Sequence, residues 1–121
     1  MAGKFTISLN GLRFFADHGI FTEEKKVGHE FELNISMEMN EPPGGVQHIS
    51  DTINYAEVYR LVQHIFRQRK LLLETLAVEI AGTIKKQFPQ AENISVTITK
   101  FSPPITNFTG SVSVNYSGQA E

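Results

Sequence analysis

The sequence contains no cysteine and no tryptophan. Without cysteine the chain can form no disulfide, no thiolate metal site and no cysteine nucleophile, a pattern typical of the cytoplasm. It also has no apolar run near the ~18 residues that a membrane span requires. An alternating segment follows Lys4, where a signal peptide would carry an unbroken apolar stretch. These absences predict a cytoplasmic protein that does not interact with membranes.

An excess of either charge is missing as well. Eleven basic and 13 acidic residues give a formal net charge of −2, which offers no general attraction to nucleic acid. The four histidines are scattered, and none stands in an H-x-H or H-E-x-x-H spacing. We therefore expect no metal site built from histidines.

The length and composition are those of one globular domain. The chain has 121 residues, of which 40% are apolar and 20% charged, sufficient for a hydrophobic core. There is no internal repeat, linker or low-complexity stretch, so we expect residues 1–121 to form a single domain.

Four segments alternate between apolar and polar residues, as half-buried strands do. They cover residues 5–14, 30–40, 94–100 and 111–116. The first two are separated by a charged loop and are expected to pair in antiparallel fashion. The Pro-Pro-Gly-Gly run at residues 42–45 ends the second segment.

Two helices are predicted between the second and third strands. The first begins between Asp51 and Asn54 and runs to about Arg69, and the second covers residues 71–88. With almost no linker between them, the pair is expected to form an αα-hairpin-like unit or to be joined by a short loop. The resulting β-β-α-α-β-β order predicts an α+β fold in which both helices cover one face of a four-stranded antiparallel sheet. Because an open sheet leaves edge strands to be paired, we expect a ring-shaped homo-oligomer.

Four polar residues stand where predicted elements begin or end: Glu24, Tyr55, Glu74 and Lys100. Each also has an ordinary interpretation. Glu24 fits a solvated charged loop and Lys100 a solvated strand end. Tyr55 fits a core position, and Glu74 a first-turn acid that interacts with the helix dipole. Since Glu74 follows three leucines, we expect its carboxylate to be partly excluded from water.

Segments containing these residues resemble the dihydroneopterin aldolase family, which has the tunnelling fold. They are RF at residues 13–14 with HGIFTEE at 18–24, DTINY at 51–55, LLETLA at 72–77, and TK at 99–100 followed by PPI at 103–105. Their order and spacing agree over nearly the whole chain. One departure is the TNFT run at 106–109, where family members commonly have Pro-Gly-His-Tyr, so we expect a rigid turn to be lost there.

The resemblance implies a lyase of folate biosynthesis that cleaves 7,8-dihydroneopterin by a retro-aldol reaction without a metal or other cofactor. It assigns catalysis to Lys100, Tyr55 and Glu24. It also implies a homo-oligomer, a tetramer or an octamer, in which Tyr55 reaches the pterin from a neighbouring subunit.

Substrate binding is assigned by the same resemblance to two short segments and one loop residue. Glu74 would bind the amino-pyrimidine edge of the pterin, with backbone groups near Leu73. Ile53, Asn54 and Tyr55 would line the site, as would Glu24.

Alternatives remain within and outside this chemistry. A dihydroneopterin (triphosphate) epimerase would use similar proton transfers, and Lys25 and Lys26 are candidate contacts for a triphosphate. A non-catalytic pterin-binding module would need neither Lys100 nor Tyr55. A 6-pyruvoyl-tetrahydropterin synthase would need a histidine zinc site, which the scattered histidines do not provide.

Overall fold

The computed structural model describes residues 3–18, 29–101, 103 and 105–119. Its elements follow the predicted order of two strands, two helices and two strands, with a short 3-10 turn before the first helix. They are β1 (Lys4–Ala16), β2 (His29–Asn40), the 3-10 turn (Ile49–Asp51), α1 (Tyr55–Phe66), α2 (Leu73–Gln87), β3 (Asn93–Phe101) and β4 (Ser111–Gln119).

The four strands form one antiparallel sheet in the order β1-β2-β3-β4. Strict alternation along β2 and β3 gives each strand one buried face, as the period of two requires. Both helices contribute residues to the core cluster formed with that face. The predicted α+β fold is therefore confirmed.

The core is built from the inward side chains of β2 and β3 and one stripe of each helix. Burial of these apolar groups is the main source of stability, at roughly 25 cal/mol per Å². The helical members are Val58, Val62, Ile65 and Phe66 of α1 and Leu76, Ala77, Ile80, Ala81 and Ile84 of α2.

A bulge interrupts the alternation of β1. The register with β2 shifts between Leu9 and Leu12, and Gly11 takes a positive φ of 66°, a conformation that glycine adopts without steric cost. The Gly11 N–H donates to Oδ1 of Asn34 at 2.8 Å. As a result Phe14 packs against the core, although its position is out of phase with Leu9.

The helix boundaries differ from those predicted. Asn54 caps α1, because its side-chain oxygen accepts from the N–H of Ala56 at 3.0 Å; a start at Asp51 is wrong. The first helix ends at Phe66 and the second begins at Leu73. Residues 67–72 therefore form a short loop, which was one of the two connections expected, whereas a continuation of the first helix to Arg69 is wrong.

Strands β1 and β4 lie at the two edges of the sheet, each with one neighbour among the described residues. The ring-shaped assembly thus stays a prediction, supported by two strand edges that remain available for pairing. In the described part of the chain, no helix has the length and apolar character needed to span a membrane.

Candidate active site

Lys100 is buried, with 6% of its surface exposed. Its Nζ donates to the backbone carbonyl of His18 at 3.1 Å and lies 5.9 Å from the centre of the Phe31 ring. The side chain points inward because Lys100 continues the buried register of Ile94, Val96 and Ile98 along β3. The interpretation of Lys100 as a solvated strand-end lysine is wrong.

The residue that accepts this hydrogen bond, His18, is itself fully buried at 0% exposure. Its Nδ1 accepts from the backbone N–H of Lys70 at 3.0 Å, so the neutral ring carries its proton on Nε2. The ring packs edge-on against Phe31 and Phe66, with centroid distances of 5.5 and 4.9 Å. His18 thus ties the end of β1 to the connection between the helices.

Burial lowers the pKa of His18, and the nearby charges of Lys70 and Lys100 act in the same direction. The Asp17 carboxylate and the Phe66 carbonyl oppose this effect but do not reverse it. Nε2 makes no hydrogen bond of normal geometry within the described residues. We therefore expect a neutral imidazole at pH 7.

Glu74 is the second residue of α2, and its side chain is exposed. The cap residue Leu72 makes no side-chain hydrogen bond to the first turn, and helix geometry gives the first amides no intrahelical acceptor. The Glu74 carboxylate can accept hydrogen bonds from one planar edge of a ligand, and the backbone N–H groups beside it can donate hydrogen bonds to the same edge. The expectation that Glu74 would be partly excluded from water is wrong for the single chain, since Leu71 and Leu72 are exposed as well.

Tyr55 is the first residue of α1 and is 64% exposed, so its interpretation as a core residue is wrong. Asn54 is occupied in capping the helix. The side chain of Ile53 is in the core at 2% exposure, which leaves only its backbone for a ligand. Leu73 is half-buried and packs against the core at the start of α2.

The predicted site residues lie at two opposite ends of the sheet. Thr52 contacts Met39 at one end of β2, with 3.7 Å between hydroxyl and sulfur. Lys100 pairs with Phe31 at the other end, about 26 Å away at 3.3 Å per residue. Tyr55 starts α1 three residues after Thr52, whereas Phe66 at the end of α1 packs on Phe31.

Glu74 lies at the Lys100 end. The backbone of Lys70, shortly before α2, donates to His18, and the carbonyl of His18 accepts from Lys100. The structure therefore groups Lys100, Glu74 and Leu73 at one end and Ile53, Asn54 and Tyr55 at the other. Glu24 lies outside the described residues.

The role of the His18 carbonyl was missed by sequence reasoning, which noted His18 only as part of a motif. The predicted loss of a turn after β3 is also wrong. The N–H of Phe108 donates to the carbonyl of Ile105 at 3.1 Å, and Asn107 between them has a φ of 61°. A turn of different sequence is thus present.

Among the described residues, no group of three or more His, Asp or Glu side chains is placed to hold a metal ion.

Comparison with known proteins identifies the family. The model of the FolB family, dihydroneopterin aldolase, matches residues 7–117. The chain belongs to this family. A curated dihydroneopterin aldolase from Bacillus subtilis is 34% identical over 110 residues, which cover 89% of this chain and 92% of the relative.

Solved structures of dihydroneopterin aldolases share the fold. A Vibrio cholerae protein, described as a candidate member, has a TM-score of 0.79 at 21% identity and covers 95% of this chain and 97% of its own. The Escherichia coli enzyme, solved with neopterin, has a TM-score of 0.75 at 16% identity, with coverages of 94% and 98%. At these identities the likeness supports the fold alone, while the family match rests on the sequence.

Proposed function

We propose that this protein, acting as a single domain over residues 1–121, catalyses the retro-aldol cleavage of 7,8-dihydroneopterin. The products are 6-hydroxymethyl-7,8-dihydropterin, a folate precursor, and glycolaldehyde. The B. subtilis relative carries the name of this activity, and the related E. coli enzyme was solved with neopterin. The reaction requires no cofactor, since the dihydropterin ring itself accepts the electron pair of the broken bond.

The observation that carries the proposal is the burial of Lys100 at the end of the sheet where α2 begins. Burying a charged or polar amine costs free energy unless it is hydrogen-bonded, and a lysine kept there is available for proton transfer in a water-poor site. Glu74 at the same end supplies a carboxylate that can accept two N–H groups of the pterin.

The reaction begins when Lys100, through a water molecule, removes the proton of the side-chain hydroxyl next to the bond that breaks. That hydroxyl becomes the aldehyde of glycolaldehyde, and the electron pair of the carbon–carbon bond moves into the ring. Tyr55 of a second copy and the same water then return a proton to the side-chain carbon, which leaves the hydroxymethyl group. Glu24 orients the hydroxyl groups or the water.

The separation of Tyr55 and Lys100 supports a site shared between copies. About 26 Å of β2 separates their neighbourhoods, which exceeds the reach of one pterin. Pairing of β1 with β4 of another copy would close the sheet edges. We propose a ring-shaped homo-oligomer, a tetramer or an octamer, with the pterin bound between subunits.

The experiment compares Lys100→Met with Lys85→Met in an assay for both products, with a chelator present. Lys85 is a matched control, because its Nζ also donates to backbone carbonyls, those of Pro89 and Ala91. Lys85 lies on α2, and the Ala91 carbonyl that it binds precedes the first residue of β3, which is about 23 Å along the strand from Lys100.

We expect Lys100→Met to lower kcat by about a hundredfold or more, as loss of a general base does, and Lys85→Met to retain wild-type turnover. Wild-type turnover by Lys100→Met would contradict the role of Lys100. Formation of only an epimerised dihydropterin by the wild type would point to the epimerase, and folded protein that forms neither product would remove the proposed function.

A further inference from the structure

The carbonyl that accepts from Lys100 belongs to a residue whose own position is set by its side chain. His18 is fully buried, and three contacts fix its ring: the Lys70 N–H on Nδ1 and the rings of Phe31 and Phe66. These contacts restrict the ring, and the backbone carbonyl of the same residue faces Nζ of Lys100 at 3.1 Å.

A second tie joins the same two segments. Nε of Arg69 donates to the carbonyl of Asp17 at 3.0 Å. Two consecutive residues at the end of β1 are thus bonded to two consecutive residues before α2. A lysine side chain has four rotatable bonds and loses rotamer freedom when its amine is fixed, so an oriented acceptor at its tip favours one placement of the amine.

We infer that His18 is a positioning residue for the cleavage reaction: its imidazole, bonded through Nδ1 to the backbone of Lys70, holds the carbonyl that places Nζ of Lys100. This inference rests on the proposed function, because it requires Lys100 to be the base. His18 does not contact the substrate. It acts only through its carbonyl and the amine that the carbonyl binds.

Two substitutions separate positioning from packing. His18→Phe keeps an aromatic ring against Phe31 and Phe66 but removes the acceptor for the Lys70 N–H. His18→Asn keeps an oxygen near the place of Nδ1 but removes the ring and leaves a cavity. If His18 positions Lys100, kcat should stay high in the variant that keeps an acceptor for the Lys70 N–H. If its role is only structural, kcat should instead fall in step with the melting temperature of each variant.

We expect His18→Phe to lower kcat between about tenfold and a hundredfold, the range that misplacement by ~1 Å can produce. KM should change less than about twofold, since Glu74 and the first turn of α2 are untouched. His18→Asn should restore kcat to within about threefold of wild type despite a lower Tm. The exposed His64 on α1 gives the control His64→Phe, which should match wild type in both constants.

Rates are measured per folded site, at a temperature where circular dichroism shows each variant to be native. If neither His18 variant folds, Arg69→Met is used instead, because it removes the second tie from a partly exposed position. It should lower kcat about threefold or more with KM unchanged.

Wild-type kcat in folded His18→Phe, or in Arg69→Met when that variant is used, would overturn the inference. So would a loss of kcat in His18→Asn as large as in His18→Phe. Lys100→Met, measured in parallel, distinguishes failure of the proposed function from failure of this inference. If Lys100→Met remains active, the proposed role of Lys100 is wrong. If Lys100→Met is inactive while the His18 variants are fully active, only the role of His18 is wrong.

Discussion

Two inactive variants of this protein should restore each other's activity. Within one chain Tyr55 and Lys100 lie at opposite ends of the sheet. Met39, which contacts Thr52 just before Tyr55, and Phe31, which pairs with Lys100, are about 26 Å apart along β2. Neither side chain spans that distance, since even a fully extended lysine reaches only about 6 Å from its Cα. A site that uses both residues must therefore take Tyr55 from one copy and Lys100 from another.

The assay mixes Tyr55→Phe with Lys100→Met in equal amounts, either by co-expression or by joint refolding. A site is intact when its lysine comes from a Tyr55→Phe chain and its tyrosine comes from a Lys100→Met chain. Each type makes up half of the chains, so each condition is met at half of the sites. Random mixing should thus give about one quarter of wild-type activity per site, from two variants that are each nearly inactive.

The control mixture combines Tyr55→Phe with Lys85→Met, in which every chain keeps Lys100 and half keep Tyr55. About half of wild-type activity is expected from this mixture. If the first mixture shows no more activity than the separate variants while the control reaches half, the shared site is refuted. If Tyr55→Phe alone retains full activity, the proton-transfer role of Tyr55 is refuted instead.

Two further predictions concern binding and pH. Glu74→Gln should weaken pterin binding between about tenfold and a hundredfold in a calorimetric titration, since charge-assisted hydrogen bonds contribute about 1.5–3 kcal/mol. The free energy of unfolding should change by only about 0.3–1 kcal/mol. Unchanged binding would contradict the role of Glu74. Stability should fall below pH ~6.5, the ordinary pKa of histidine, because burial lowers the pKa of His18 in the folded state and the unfolded chain binds the proton more readily. Denaturant titrations should show His18→Phe losing less stability than wild type between pH 6.5 and 5.

Much of the fold was predictable from local patterns. Strands β2 and β3 alternate strictly, and their burial follows that alternation residue by residue. The helix boundaries were less predictable, because a cap is a local hydrogen bond and both Asp51 and Asn54 are residue types that can make one. The bulge at Gly11 was also missed, since its N–H is satisfied by Asn34 of a different strand.

The site was predictable in part. The register of Ile94, Val96 and Ile98 already places Lys100 on the inward face, but a lysine at a strand end more often reaches water, so the pattern alone does not decide. The acceptor of its hydrogen bond was not predictable, because a backbone carbonyl leaves no trace in the residue type. The side chain of His18 does not contact Lys100 through this hydrogen bond but accepts from the Lys70 N–H, so the residue type gives no indication of what its carbonyl binds.

The geometry also separates what one chain can do from what an assembly must add. One chain already holds Lys100 in place through His18 and presents the first turn of α2 with Glu74. The exposed Tyr55, in the proposed mechanism, would contribute only when another copy pairs along a sheet edge. In the proposed mechanism Lys100 is positioned within one chain, so subunit contact would have to supply only one aromatic hydroxyl and the exclusion of water. Activity should therefore depend on protein concentration more steeply than folding does.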